Sequence, residues 1–291
     1  EEGVTIKGGR GVGRVTRRGL PVAVGEAAIN PAPRRQIRKA VAEALLESGL
    51  KGAVTVTVEV PDGEKIAKKT LNPRLGIVGG ISILGTRGTV IPFSNEAYRE
   101  TITLAMDVAR AGGASTVVLS TGGRSEKFLR WRRPDLSESC LIQVADFFSF
   151  SLREAAKRGF KEIIYACFFG KMVKMAQGYP HTHARKSRID FDTLARWCAL
   201  AGMERRKARD VKNANTAREV LRVVTEDMHG KEIIGQIVKR ALFWARKFSG
   251  PSPDLTYYLF DTEGKLLVEM REKGMRVSRE RSGSGKDKPL P

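Results

Sequence analysis

The sequence predicts a mixed α/β protein with two domains. We expect an N-terminal α+β domain over residues 1–112 and an α/β domain with a mainly parallel sheet over residues 113–274. The 291 residues are 41% hydrophobic, which is enough for a sizeable core. Short apolar strands alternate with helices between residues 116 and 175, a pattern typical of a parallel sheet covered on both faces. Residues 117–119 and 163–165 should therefore be strands of one sheet.

The N-terminal region combines glycine-rich strands with one clear helix. Residues 4–24 carry many glycines among apolar residues, which predicts a turn-rich sheet edge. Asn30-Pro31 suits the start of a helix, and apolar residues at helical spacing continue it to Gly49. Residues 53–60 alternate like a strand, and the turn that follows predicts a hairpin with a second strand over residues 64–70.

A glycine-rich and weakly charged segment, residues 72–92, precedes the predicted domain boundary. It is too apolar for a solvated linker and too rich in glycine for a regular helix or strand. Ser94 then caps a helix to Ala111, which ends at Gly112-Gly113. The glycine pair marks the expected boundary between the two domains.

The second domain is predicted to contain three strands alternating with three helices, then more helices and a hairpin. The strands are residues 116–120, 141–145 and 162–167, and the helices are residues 125–132, 147–158 and a segment after Gly170. Further helices are expected at residues 190–201, 216–224 and 231–248, and a hairpin at residues 255–260 and 266–270. Residues 275–291 are polar, basic and rich in glycine, which predicts a disordered tail.

The charge of the chain indicates a polyanionic partner. Fifty-two Lys and Arg against 32 Asp and Glu give a formal charge of +20, which favours nucleic acid or a ligand with many carboxylates or phosphates. No apolar run approaches the roughly 20 residues of a membrane-spanning helix. Three cysteines without a CxxC spacing predict neither a disulfide framework nor a zinc finger, and they fit a reducing, cytoplasmic setting. No secretory signal is expected, and the sequence leaves a homo-oligomer open.

Two glycine-rich loops are candidates for ligand contact. Residues 8–13, GGRGVG, lack the surrounding features of a dinucleotide or P-loop site, so tight turns are the favoured reading. Thr121-Gly122-Gly123-Arg124 follows a predicted strand and precedes a helix, which puts it at the carboxyl edge of the sheet, where α/β folds bind ligands. Ligand contact and a purely structural loop are equally supported there. Residues 79–88 are also expected to line the cleft, because glycine lets a ligand approach the backbone closely.

A third candidate segment follows the strand at residues 162–167. Lys171 and Lys174 share one face of the next helix, where the helix start and the ammonium groups suit a carboxylate or phosphate. A solvated lysine face is an equal alternative. His181 and His183 flank Thr182, but no nearby third ligand makes a metal site convincing, so hydrogen bonding or proton handling is favoured and no metal is expected.

Three long strings resemble the CbiD family of cobalamin biosynthesis, the cobalt-precorrin-5B C1-methyltransferases. They are GGRGVGRVTRRGLPVAVGEAAINPAPR at residues 8–34, IAKKTLNPRLGIVGGISILGTRGTVIPFS at residues 66–94, and GKMVKMAQGYPHTH at residues 170–183. The family has a Gly/Thr-rich segment and further strands upstream, so the N-terminal domain is expected to be incomplete. It also often has Gly-His-Ile before Gly170, where this chain has Cys167-Phe168-Phe169.

The resemblance implies methyl transfer from S-adenosylmethionine to ring carbon 1 of cobalt-precorrin-5B, giving cobalt-precorrin-6A. Such a macrocycle carries several carboxylates, which agrees with the basic charge, and cobalt arrives within the substrate. The protein has to align a ring carbon with the methyl donor and manage a proton, which requires no nucleophilic triad. The donor is assigned to Gly79, Gly80, Gly85, Thr86, Gly122 and Gly123, the corrinoid to Arg124, Lys171, Lys174 and Thr182, and the catalytic role to His183.

Two other functions are alternatives. A nucleic-acid-binding protein would explain the charge, but no cluster of aromatic residues, helix-turn-helix or zinc pattern supports it. An adenine-nucleotide enzyme would use the glycine loops, but no Walker or Rossmann fingerprint is present.

Overall fold

The computed structural model describes residues 3–85 and 94–275. The predicted tail falls almost wholly outside these residues. The N-terminal part contains four short strands and two helices, which are β1 (Val4–Gly8), β2 (Arg14–Val15), α1 (Pro31–Ser48), β3 (Val54–Val58), α2 (Gly63–Ala67) and β4 (Ile77–Val78).

Strands β1 and β3 pair in parallel, with Val4 opposite Val54, and helix α1 forms the crossover between them. The predicted hairpin is therefore wrong, and residues 64–70 begin in helix α2 instead of a strand. Because the crossover helix α1 lets β3 pair with β1, the chain after the turn at residues 61–63 does not have to form an antiparallel partner for β3. Strand β2 pairs with β4 in antiparallel orientation.

The rest of the chain forms one α/β unit preceded by helix α3 (Asn95–Ala111), which Ser94 caps as predicted. Its elements are β5 (Thr116–Ser120), α4 (Gly123–Arg132), β6 (Leu141–Gln143), α5 (Phe148–Lys157), β7 (Glu162–Phe168), α6 (Phe169–Ala176), α7 (Phe191–Leu200), α8 (Arg205–Lys212), α9 (Ala217–Thr225), α10 (Gly230–Ser249), β8 (Asp254–Phe260) and β9 (Leu266–Glu272). Helix α8 is the one that the sequence reading missed, because it is highly basic and buries only Val211.

The five strands form a sheet in the order β6-β5-β7-β8-β9. The first four are parallel, and β9 returns antiparallel to β8. Val117 pairs with Ile163 and Leu119 with Tyr165, so the predicted sheet of residues 117–119 and 163–165 is confirmed. The final hairpin, β8 with β9, is confirmed as well.

Apolar side chains cover both faces of this sheet. Val117 and Leu119 belong to a large cluster with residues of α5, α6 and α10, whereas Val118 joins a smaller cluster with Phe128 and Leu129 of α4. Alternate residues of a strand point to opposite faces, so α4 lies on one face and α5, α6 and α10 lie on the opposite face.

Helix α3 contributes to two hydrophobic clusters. Ile102, Met106 and Ala109 are buried in the large cluster of the sheet, while Val108 packs with Leu75 and other residues of the N-terminal part. The division at residue 112 remains a prediction. No helix among the described residues is long and apolar enough to cross a membrane.

Candidate active site at the carboxyl edge of the sheet

The strand order creates a crevice between β5 and β7. After β5 the chain moves outward to β6, and it then returns to the other side of β5 for β7. Connections that leave in opposite directions open a crevice at the carboxyl ends of these two strands, where doubly wound α/β proteins bind ligands. The structure places Thr121-Gly122-Gly123 on one side of this crevice and Gly170 and Lys171 on the other.

Gly122 and Gly123 leave open space at the start of helix α4. A Cβ atom at Gly122 would meet no heavy atom within 4 Å, and one at Gly123 would lie 3.6 Å from Gln143 Nε2. The φ angle of Gly122 is 166°, an extended backbone that any residue adopts. Neither the backbone nor the packing requires glycine at position 122, which leaves room for a ligand close to the helix start.

Arg124 spans the mouth of the crevice toward β8. Its Nη2 donates to the carbonyl oxygen of Thr262, and its guanidinium lies 5.6 Å from the centre of the Phe168 ring. The side chain is exposed and its charge is not paired with a carboxylate in those contacts. It can therefore attract an anionic ligand to the edge of the sheet.

A buried carboxylate lies directly below the glycine loop. Glu126 is 4% exposed and forms a bidentate pair with Arg74, whose Nη1 donates to Oε2 at 2.9 Å. Ser120 Oγ at 3.4 Å and Gln143 Nε2 at 3.5 Å also approach the carboxylate. The hydrogen bond to Glu126 raises the pKa of Arg74 above its ordinary value. This pair joins the glycine-rich N-terminal segment to α4.

A second polar network joins three loops on the opposite face. Asp146 follows β6, and its Oδ1 accepts hydrogen bonds from Lys171 Nζ and from Thr182 Oγ1, the latter at 2.8 Å. Thr182 N donates to the Asp146 carbonyl at 3.0 Å, and Lys174 Nζ donates to the Thr182 carbonyl at 3.0 Å. Lys171, Lys174 and Thr182 are thus brought together as predicted site residues, and Asp146 is the member that the sequence reading missed.

The residue before Asp146 has an unusual backbone. Ala145 has a φ of 46° and is the only non-glycine residue with positive φ among those described. Such a conformation costs about 1–3 kcal/mol and occurs most often where function fixes the chain. It turns the backbone sharply after β6 and thereby directs the Asp146 side chain to Lys171.

The network sets the charges of its members. Burial would raise the pKa of Asp146, but the hydrogen bonds from Lys171 and Thr182 outweigh it and hold that pKa below its ordinary value. Burial and the neighbouring ammonium of Lys171 lower the pKa of Lys174. At neutral pH the cluster therefore contains a firmly ionised carboxylate beside two lysines, one of which loses its proton more readily than usual.

The two histidines of the third segment differ in environment. His183 is exposed, and its Nδ1 accepts from Arg185 N at 3.1 Å. His181 packs edge-on to Phe147 at 4.9 Å, and burial together with Lys186 lowers its pKa. No group of three or more His, Cys, Asp or Glu that could hold a metal ion occurs within residues 3–85 and 94–275.

The N-terminal glycines fall into two classes. Gly80 packs against the backbone of Gly11, because a Cβ on it would lie 2.1 Å from the Gly11 carbonyl oxygen, so packing explains it. Gly79 and Gly85 have positive φ angles of 77° and 127°, and a Cβ at Gly79 would meet no heavy atom within 4 Å. Thr86 lies outside the described residues. A Cβ on Gly11 would lie 1.8 Å from the Val60 carbonyl oxygen, so close packing requires glycine there. This supports the interpretation of the GGRGVG segment as tight turns.

The sheet order and the crevice are those of a doubly wound α/β protein, a class that binds ligands at this position. Two family models match the chain, "CbiD" over residues 1–92 and "CbiD, C-terminal domain" over residues 181–271. Curated relatives match over most of the chain, and on this evidence it belongs to the CbiD family.

Three relatives illustrate the match, and each is named cobalt-precorrin-5B C(1)-methyltransferase. The Nitratidesulfovibrio vulgaris protein is 51% identical over 90% of this chain and 68% of its own length. The Geobacillus kaustophilus protein is 51% identical over 75% of this chain and 59% of its own length. The Priestia megaterium protein is 41% identical, with coverages of 93% and 74%. None of these relatives is named for nucleic-acid binding.

One solved structure also matches, a cobalamin biosynthesis protein (cbiD) from Archaeoglobus fulgidus. It is 30% identical and covers 59% of this chain and 52% of its own chain. The TM-score of 0.26 is too low for the superposition to inform the fold.

Proposed function

We propose that this protein methylates ring carbon 1 of cobalt-precorrin-5B and uses S-adenosylmethionine as the methyl donor. The observation that carries the proposal is the 51% identity to a cobalt-precorrin-5B C(1)-methyltransferase over 90% of the chain. The chain covers 59% to 74% of the length of the three relatives described above. The activity for which the relatives are named is therefore proposed for this chain.

The crevice offers suitable groups for the donor. Open space at Gly122 and the start of α4 suit a carboxylate such as that of a methionine moiety, since backbone N–H groups there are oriented toward an anion. When bound, the donor supplies an electrophilic methyl group. Gly79, Gly80, Gly85 and Thr86 complete the proposed donor site, with packing a sufficient explanation for Gly80.

The corrinoid would lie over the carboxyl edge of the sheet. Arg124, Lys171 and Lys174 present positive charge there, and Asp146 with Thr182 fixes the two lysines. Carboxylates on several sides of the macrocycle suit cations distributed along this edge. The ammonium groups of Lys171 and Lys174 already donate to Asp146 and to the Thr182 carbonyl oxygen. A bound carboxylate would therefore share these ammonium groups with the protein acceptors.

His183 is the proposed proton-handling residue. Bond formation at a ring carbon uses electrons of the macrocycle and releases a proton, while the sulfonium leaves as a neutral thioether. Its imidazole is exposed and can act as the general base that takes that proton. The three cysteines are free and buried, which is compatible with the cytoplasmic setting proposed here.

The test is anaerobic incubation of the purified protein with cobalt-precorrin-5B and S-adenosylmethionine carrying a ¹³C-labelled methyl group. We expect a product heavier by one labelled methyl group, with the ¹³C signal at ring carbon 1, and stoichiometric S-adenosylhomocysteine. Methylation at another position would contradict the proposal. So would the absence of methylation by the purified chain, together with failure of the chain to restore the reaction in a bacterial strain that lacks the corresponding enzyme.

A further inference from the structure

A cleft of about 630 Å³ runs along helix α4 and starts at Gly123. Its walls include Lys127, Arg130 and Trp131 of α4 and, on the far side, Arg74 and Gln143. Small-molecule sites commonly have volumes of about 300–1,000 Å³. The cleft is thus large enough for a ligand, and it is continuous with the glycine loop at the crevice.

Two of the four cations around the cleft are available to a ligand. Arg74 is neutralised by Glu126, and Arg133 donates to Asp135 at 2.8 Å. Within residues 3–85 and 94–275, Lys127 makes only a cation–π contact, with its Nζ 5.0 Å from the centre of the Trp131 ring. The carboxylate nearest to Arg130 is Glu138 at 3.9 Å, and both side chains are more than half exposed, so this ion pair is weak.

Trp131 adds an apolar surface between these cations. Its side chain is 67% exposed, although tryptophan is one of the most hydrophobic residues. Packing against Phe128 at 5.7 Å supports the indole from below, and Lys127 lies one helical turn earlier. An exposed, supported indole beside two available cations suits a ligand that is both apolar and anionic.

We propose that this cleft binds one carboxylate-bearing side of the corrinoid macrocycle. Lys127 and Arg130 receive side-chain carboxylates, and Trp131 packs against the apolar part of the ring. This inference rests on the function proposed above and adds Lys127, Arg130 and Trp131 to the residues that would contact the substrate. The site extends from Gly123, so a macrocycle held in it remains beside the proposed donor loop.

The test uses cobyrinic acid, a stable cobalt corrinoid with free carboxylates, and cobinamide, in which those groups are amides. Binding is followed by calorimetry and by quenching of tryptophan fluorescence. The variants are Lys127→Gln/Arg130→Gln and Trp131→Phe, and the matched control is Arg132→Gln, an exposed arginine of the same helix outside the cleft. All four substitutions are at or near the surface, and thermal melts check that the fold is kept.

We expect the double variant to weaken cobyrinic acid binding about 100-fold, since each of the two charge-assisted contacts contributes about tenfold. Arg132→Gln should change it less than twofold, and Trp131→Phe should remove most of the fluorescence quenching. Cobinamide should bind much more weakly than cobyrinic acid to the unsubstituted protein. The inference is overturned if the unsubstituted protein binds no corrinoid, if the double variant binds normally, or if the control is equally impaired.

The two proposals can fail separately. If the unsubstituted protein methylates cobalt-precorrin-5B but the double variant keeps its KM for that substrate, the function stands and the cleft is wrong. If the binding pattern holds while no methyl group is transferred, the cleft binds corrinoids and the assigned reaction is wrong.

Discussion

Replacing Arg74 with alanine should destabilise the protein by about 3–4 kcal/mol at pH 7. The change leaves Glu126, only 4% exposed, without its cationic partner. Breaking a buried ion pair costs about 3–5 kcal/mol. Ser120 and Gln143, at 3.4 and 3.5 Å, offset part of it.

Urea unfolding of the variant and of the unsubstituted protein at pH 7, with the free energy extrapolated to zero denaturant, measures this loss.

A double variant, Arg74→Ala with Glu126→Gln, provides the control. It removes both charges, so part of the lost stability should return. A loss below about 1 kcal/mol for Arg74→Ala alone would show that Glu126 reaches water or another cation when Arg74 is absent.

Three further results are expected. Gly122→Val should weaken S-adenosylmethionine binding by more than tenfold in calorimetry and leave the melting temperature unchanged. Gly80→Ala should instead lower the melting temperature, because the added Cβ would meet a backbone carbonyl. Unchanged affinity in Gly122→Val would show that the loop at residues 121–123 is only structural. Hydrogen bonds lower the pKa of Asp146, so its contribution to the free energy of unfolding is present above pH of about 4 and is lost as the pH falls through the lowered pKa. In urea unfolding, Asp146→Asn should remove this loss of stability at acid pH. Equal pH dependence in the variant and the unsubstituted protein would contradict the prediction. His183→Ala should reduce kcat more than it raises KM, while Lys171→Ala should mainly raise the KM for the corrinoid; the reverse split in steady-state kinetics would exchange their roles.

The parallel sheet could be predicted because its signals are local. The buried strands β5 and β7 are short apolar segments between helices, and Thr121-Gly122-Gly123 stands between a strand and a helix, which fixes its place at the carboxyl edge. The hairpin prediction failed for the opposite reason. The turn before α2 is a local signal, whereas the pairing of β3 with β1 depends on a strand about 50 residues earlier.

The polar groups of the site were harder to predict. Glu126 looks like an ordinary acidic residue in the first turn of a helix, and only the fold brings Arg74 to it. Asp146 belongs to no motif, and its importance depends on the backbone turn at Ala145 and on two distant partners. Lys171, Lys174 and Thr182 could be placed together at this edge because a strand end and a helix start mark their position in the sequence, and their role in binding stays a prediction.

Helix α3 bears on how the protein could be divided into fragments. A fragment that starts at residue 113 would lose Ile102, Met106 and Ala109, and their neighbours in the sheet's large hydrophobic cluster would face water. A cut before Ser94 would keep that surface covered and would instead remove the partners of Val108. Neither fragment retains all the apolar contacts of α3, so limited proteolysis between residues 112 and 115 should release pieces that aggregate or stay associated instead of two soluble units.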